Sequence, residues 1–128
     1  MRTFTLTKYR TQLLFLLYLT IVSFAIYKVI ENWGYDDPYI TYKYAANISE
    51  GLGFVYNPGE KVLSTTTPLL AILLSLFAKF GLDIPKAANL ISALSLSTGA
   101  IFIWSLSNSI KTPYVGWVSL FLYPFFPL

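Results

Sequence analysis

Four stretches of this 128-residue sequence contain no Asp, Glu, Lys or Arg: Thr11 to Tyr27, Val62 to Ala78, Ala87 to Ile110 and Thr112 to Leu128. Each approaches the ~20 residues needed to cross ~30 Å of hydrocarbon at ~1.5 Å per residue. Only 12% of the residues are charged and 55% are hydrophobic, against the ~25% charged of an ordinary soluble domain. Disorder is excluded, because a chain this apolar has ample surface to bury. The expectation is an all-α membrane fold. It has four transmembrane helices at about 11–30, 68–82, 87–110 and 112–128, an external loop at 31–67, and an amphipathic surface helix within that loop.

Arg2, Lys8 and Arg10 precede the first span, while Glu31, Asp36, Asp37, Glu50 and Glu60 follow it. With four crossings, Lys79 and Lys86 fall on the same side as the N-terminal cations, which the positive-inside rule assigns to the cytoplasm. Both termini are then cytoplasmic, and the loop at 31–67, with Lys43 and Lys61, is external. A signal peptide is the competing reading of the first span, since Ser23 and Ala25 form a weak small-x-small site. Against it, the apolar run is long for a signal core and three further spans follow. The run Tyr123-Pro124-Phe125-Phe126-Pro127-Leu128 closes without the charged flank on which a span usually leaves the bilayer, so the chain is expected to be the N-terminal piece of a longer membrane protein.

The sequence has neither cysteine nor histidine. Disulfides, thiolate metal sites and the commonest general base are therefore excluded. No phosphate-binding glycine loop is present: Gly51-Leu52-Gly53 lacks the third glycine and the preceding strand of a dinucleotide fold. The positive net charge is a topological signal rather than a sign of nucleic-acid binding. Chemistry is left to the loop.

There, Asp36-Asp37-Pro38 reads as a helix start, with proline at the first helical position and a carboxylate to cap the free N–H groups. The helix is expected from Pro38 to about Glu50, with Gly51 as its stop. Tyr39, Tyr42, Lys43 and Ala46 share one side, and Ile40, Tyr44, Ala45 and Ile48 another. A cap needs only one carboxylate; the simplest assignment makes Asp37 the cap and leaves Asp36 free as a base. Two such acids can take a proton from a nucleophile or hold a divalent cation that neutralises a phosphate. Lys43, one to two turns on, can reach a phosphate near the helix start or simply anchor a surface helix. Tyr39 and Tyr42 read as interface anchors. Asn47-Ile48-Ser49 matches a glycosylation acceptor, a pattern too short and frequent to carry weight.

The order Asp36-Asp37-Pro38-Tyr39-Ile40-Thr41-Tyr42-Lys43-Tyr44-Ala45-Ala46-Asn47-Ile48, then Gly51-Leu52-Gly53-Phe54-Val55-Tyr56-Asn57-Pro58-Gly59-Glu60-Lys61-Val62, resembles the first external loop of polytopic GT-C membrane glycosyltransferases. The branch it looks most like includes mycobacterial terminal arabinofuranosyltransferases and mannosyltransferase-like proteins. The likeness covers residues 36–70. It implies transfer of a sugar from a polyprenyl-phosphate donor to a glycan, lipid or protein acceptor at the external face. By position, Asp36 and Asp37 would be the catalytic carboxylates and Lys43 would meet the donor phosphate, where relatives usually carry Arg. Leu63-Ser64-Thr65-Thr66-Thr67-Pro68 departs from the acidic-Gly-aromatic form of that branch while keeping its Thr-Pro helix start. Members carry more spans than these four, so the chain alone is expected to be inactive. The competing class is a small non-catalytic four-span subunit, in which the carboxylates only cap. A flippase-like half-transporter would need an intramembrane charge pair that the sequence lacks.

Overall fold

The computed structural model describes residues 2–31, 36–60 and 62–126, with side chains from residue 11 onward. Lys61, Pro127 and Leu128 lie outside the described residues, as do the side chains of Arg2, Lys8 and Arg10. Among those described, every regular element is helical: α1 (Arg2–Ile30), α2 (Asp37–Ser49), α3 (Pro68–Lys79), α4 (Ile84–Ser109), α5 (Pro113–Leu122) and a 3-10 turn at Tyr123–Phe125.

Among the described residues two helices, not four, are long and apolar enough to cross a membrane: α1 over Thr11–Ile30 and α4 over all of Ile84–Ser109. Neither is a buried core helix, since only 11% and 22% of their apolar windows are covered within the chain. The expected spans at 68–82 and 112–128 are corrected. At ~1.5 Å per residue, the 12-residue α3 and the 10-residue α5 reach only about 18 and 15 Å. Turn residues explain both: α3 opens at Pro68 as expected but ends at Lys79 before the left-handed Gly81 turn, and Pro113 and Pro124 bracket α5. With α3 too short to cross, grouping Lys79 and Lys86 with the N-terminal cations loses its basis. At the other end of the 87–110 span the helix is longer than expected. It begins at Ile84, where the Asp83 carboxylate accepts the Lys86 N–H at 3.0 Å.

The chain forms two compact bodies, Met1–Glu31 with Leu90–Leu128, and Asn32–Asn89. In the first, α1 meets α4 through a short relay: Ser23 Oγ donates to Ser97 Oγ at 3.0 Å, which donates to the Ala93 carbonyl at 2.8 Å. Tyr18 donates to the Leu120 carbonyl of α5 at 2.7 Å, and Phe15 sits edge-on to Trp104 at 5.0 Å. Small residues set the spacing. A Cβ on Gly116 would strike Ser107 and lie 3.1 Å from the Trp104 backbone, and one on Gly99 would fall 2.8 Å from the Tyr123 ring.

The second body is a hairpin of α2 and α3. Gly51, at φ +80°, ends α2 in a left-handed turn, with the Leu52 N–H bonded to the Asn47 carbonyl at 2.9 Å, as its position after the last helical turn leads one to expect. Gly81 ends α3 in the same way. Ala71, Leu74 and Ser75 are the buried face of α3, and Thr41, Tyr44, Ala45 and Asn47 that of α2.

Candidate functional site

The site lies at the start of α2, where a polar scaffold holds the returning loop. Tyr44 is fully buried. Its hydroxyl donates to the Val62 carbonyl at 2.5 Å and accepts the Ser64 N–H at 2.9 Å, while its ring packs on Phe54 at 4.9 Å. Asn47, 1% exposed, donates both amide hydrogens, to the Val55 and Tyr56 carbonyls at 2.7 and 2.8 Å. That engagement removes Asn47 as a sugar acceptor. Thr41 on α2 lies 3.0 Å from the Thr65 hydroxyl and 2.9 Å from that of Thr67. A loop without strand partners thus has its backbone groups satisfied by side chains of one helix.

Between these segments is a hollow of about 210 Å³, lined by Asp37, Ile40, Thr41, Ser64, Thr65 and Thr66. At ~30 Å³ per water, it has room for several waters or a small polar fragment. A larger hollow, about 410 Å³, is lined by Leu52, Gly53, Phe54, Val55, Val62 and Leu63; with no titratable group it offers no acid–base chemistry.

The carboxylates do not cap the helix. Asp36 is the N-cap residue but has helical φ and ψ of −77° and −37° and no side-chain capping bond. A capping carboxylate needs an extended backbone to fold back onto the N–H groups, which Asp36 lacks, and Asp37 is already the first helical residue, which corrects its assignment as cap. Both acids are exposed. They also diverge. Asp37 lines the hollow, whereas Asp36, Tyr39 and Lys43 follow at helical spacing along an exposed face. Asp37 is thus brought together with the loop hydroxyls, and Lys43 lies two turns from Asp36 without an ion-pair partner among the described residues.

Tyr42 is half-buried, its ring edge-on to Tyr39 at 5.2 Å. Burial, and secondarily Tyr39, push its phenol above the ordinary tyrosine range, so it is a neutral hydrogen-bonding group rather than a base at physiological pH. Among the described residues no three His, Cys, Asp or Glu side chains gather as a metal cage. A cation such as Mg²⁺ that takes one or two carboxylates plus substrate phosphates has Asp36 and Asp37 available. Thr41, Ser64 and Thr66 were missed as site residues from sequence; four consecutive hydroxyl side chains, Ser64 to Thr67, are the signal for the last two, and nothing local marks Thr41.

Compared with protein families, with curated proteins and with solved structures, the chain matches none.

Proposed function

We propose that this chain carries the acidic site of a membrane glycosyltransferase of GT-C type, which moves a sugar from a polyprenyl-phosphate donor onto a hydroxyl of a glycan, lipid or protein acceptor. What supports the reading above all is Asp37: a carboxylate with no hydrogen bond of its own among the described residues, lining a small hollow furnished with hydroxyls. The ordered likeness of residues 36–70 to the first external loop of that superfamily supports it independently.

In this mechanism the acceptor hydroxyl enters the hollow beside Asp37. The carboxylate takes its proton as the acceptor oxygen bonds the anomeric carbon. The bond from that carbon to the phosphate oxygen breaks, and the phosphate leaves with the electron pair from the opposite face, inverting the centre. Thr41, Ser64 and Thr66 orient the acceptor through hydrogen bonds. Lys43 supplies a point charge to the departing phosphate, a looser grip than a bidentate arginine. A divalent cation, if one takes part, would be held by Asp37 at the hollow together with the substrate phosphate, with Asp36 beside it in sequence, and would supply charge neutralisation. Arg2, Lys8 and Arg10 precede the apolar stretch that begins at Thr11, which supports a cytoplasmic N-terminus and a site on the external face of the cell membrane.

The test uses the native-length protein in membranes supplied with labelled polyprenyl-phosphate mannose, glucose or arabinose. Asp37→Asn is expected to assemble normally and to lose transfer by two to four orders of magnitude, the usual contribution of a general base. Transfer unchanged in both Asp36→Asn and Asp37→Asn overturns the reading and leaves a non-catalytic membrane subunit.

A further inference from the structure

The outward face of α3 is apolar and exposed. Leu69, Ile72, Leu73, Leu76 and Phe80 are 79%, 48%, 39%, 50% and 85% exposed. At ~100° per residue they fall within one arc of the helix, opposite the Ala71, Leu74 and Ser75 face that packs on α2. The next turn continues the apolar surface with Leu82, 53% exposed, and exposed Lys79 and Lys86 flank it. An apolar stripe on a helix about 18 Å long cannot span ~30 Å of hydrocarbon.

We propose that α3 lies in the plane of the membrane, with this stripe sunk into the boundary between headgroups and acyl chains of a phospholipid leaflet, and that Lys79 and Lys86 hold lipid phosphates beside the inserted Phe80 and Leu82. The occupant is lipid because α1 and α4 leave the same kind of carbon surface open along helices long enough to cross a bilayer. Two lysines at the edge of an apolar insertion are the charge that phosphates complement. Both ends of α3 then stay on one side of the membrane, and the hairpin brings its hydroxyl-lined hollow to headgroup depth.

The chain has no cysteine, so single cysteines placed at Leu69, Leu73, Leu76 and Phe80 each carry one nitroxide label. Because these positions are exposed, the substitutions leave the packing intact. Depth is read in vesicles of phosphatidylcholine and phosphatidylglycerol from the competing relaxation by oxygen and a water-soluble nickel chelate. The in-plane helix predicts one shared depth just below the phosphates, with high oxygen access at all four positions. Depths at Leu69 and Phe80 that differ by about 16 Å, the rise of a crossing helix, overturn it. So do labels reached by nickel, which mean water, or shielded from both reagents, which mean a protein partner. The double variant Lys79→Glu, Lys86→Glu is expected to raise nickel access at position 80 several-fold; unchanged access overturns the lysine anchoring.

Discussion

Gly116 in the first body and Asn47 in the second stand at comparable points, each where two packed segments come closest, and they do opposite things. Gly116 has no side chain because α5 presses on the backbone of Trp104 in α4. Asn47 is buried with a side chain that donates twice to a loop. Where helix meets helix, the backbone groups are already bonded internally, so close approach asks only for small residues and a few hydroxyls such as Ser23 and Ser97. Where helix meets loop, carbonyls and N–H groups need partners, and the helix must supply them from polar side chains. The second body therefore concentrates polar groups on α2. Those the scaffold leaves unspent, Asp36 and Asp37, are the ones open to chemistry.

Substitutions can break this contrast, and Asn47→Leu should do so most. It keeps much of the volume and strands two carbonyls, at about 3 kcal/mol; amide exchange over residues 52–60 should approach the unprotected rate, and retained protection would mean the loop holds itself. Next is Gly116→Ala, where the added methyl meets Ser107 and the Trp104 backbone. Overpacking of this kind costs about 2 kcal/mol, read from tryptophan fluorescence during unfolding in mixed micelles.

Tyr44→Phe sharpens the comparison, because it deletes one hydroxyl and keeps the ring on Phe54. About 1.5 kcal/mol should be lost, visible as faster exchange of the Ser64 amide. Ser23→Ala, the equivalent deletion in the first body, should cost only about 0.6 kcal/mol; a larger loss there than at Tyr44 would reverse the contrast. The smallest effect concerns pH. The Tyr42 phenol is raised in the folded chain, so above about pH 10 the unfolded chain ionises first and stability falls as pH rises. The Tyr42→Phe variant should lack that component of the alkaline transition.

Sequence reasoning captured the helical class, the two long apolar helices, the helix following Asp36-Asp37-Pro38 and its stop at Gly51, because each rests on local rules of length, proline and glycine. It overcounted crossings. The charge-free run from Val62 to Ala78 reads as a crossing from Pro68 to about residue 82, yet α3 ends at Lys79 before the left-handed Gly81 turn, and Val62, Ser64, Thr65 and Thr67 are bound to Tyr44 and Thr41 instead of lengthening it. The acid pair was legible as a pair, but its splitting was not. Asp37 facing the hollow while Asp36 follows Tyr39 and Lys43 depends on the backbone of Asp36 being already helical, and a proline at the next position but one does not dictate that.

The unspent carboxylates, and not the scaffold around them, are proposed to carry the chemistry. This is tested most directly by comparing Asp37→Asn with Tyr44→Phe in the native-length protein, with sugar transfer measured from labelled polyprenyl-phosphate donors alongside amide exchange at Ser64. Asp37→Asn should abolish transfer and leave Ser64 protected, while Tyr44→Phe should expose Ser64 and retain most transfer. Full transfer by Asp37→Asn, with Ser64 protected as before, would contradict it.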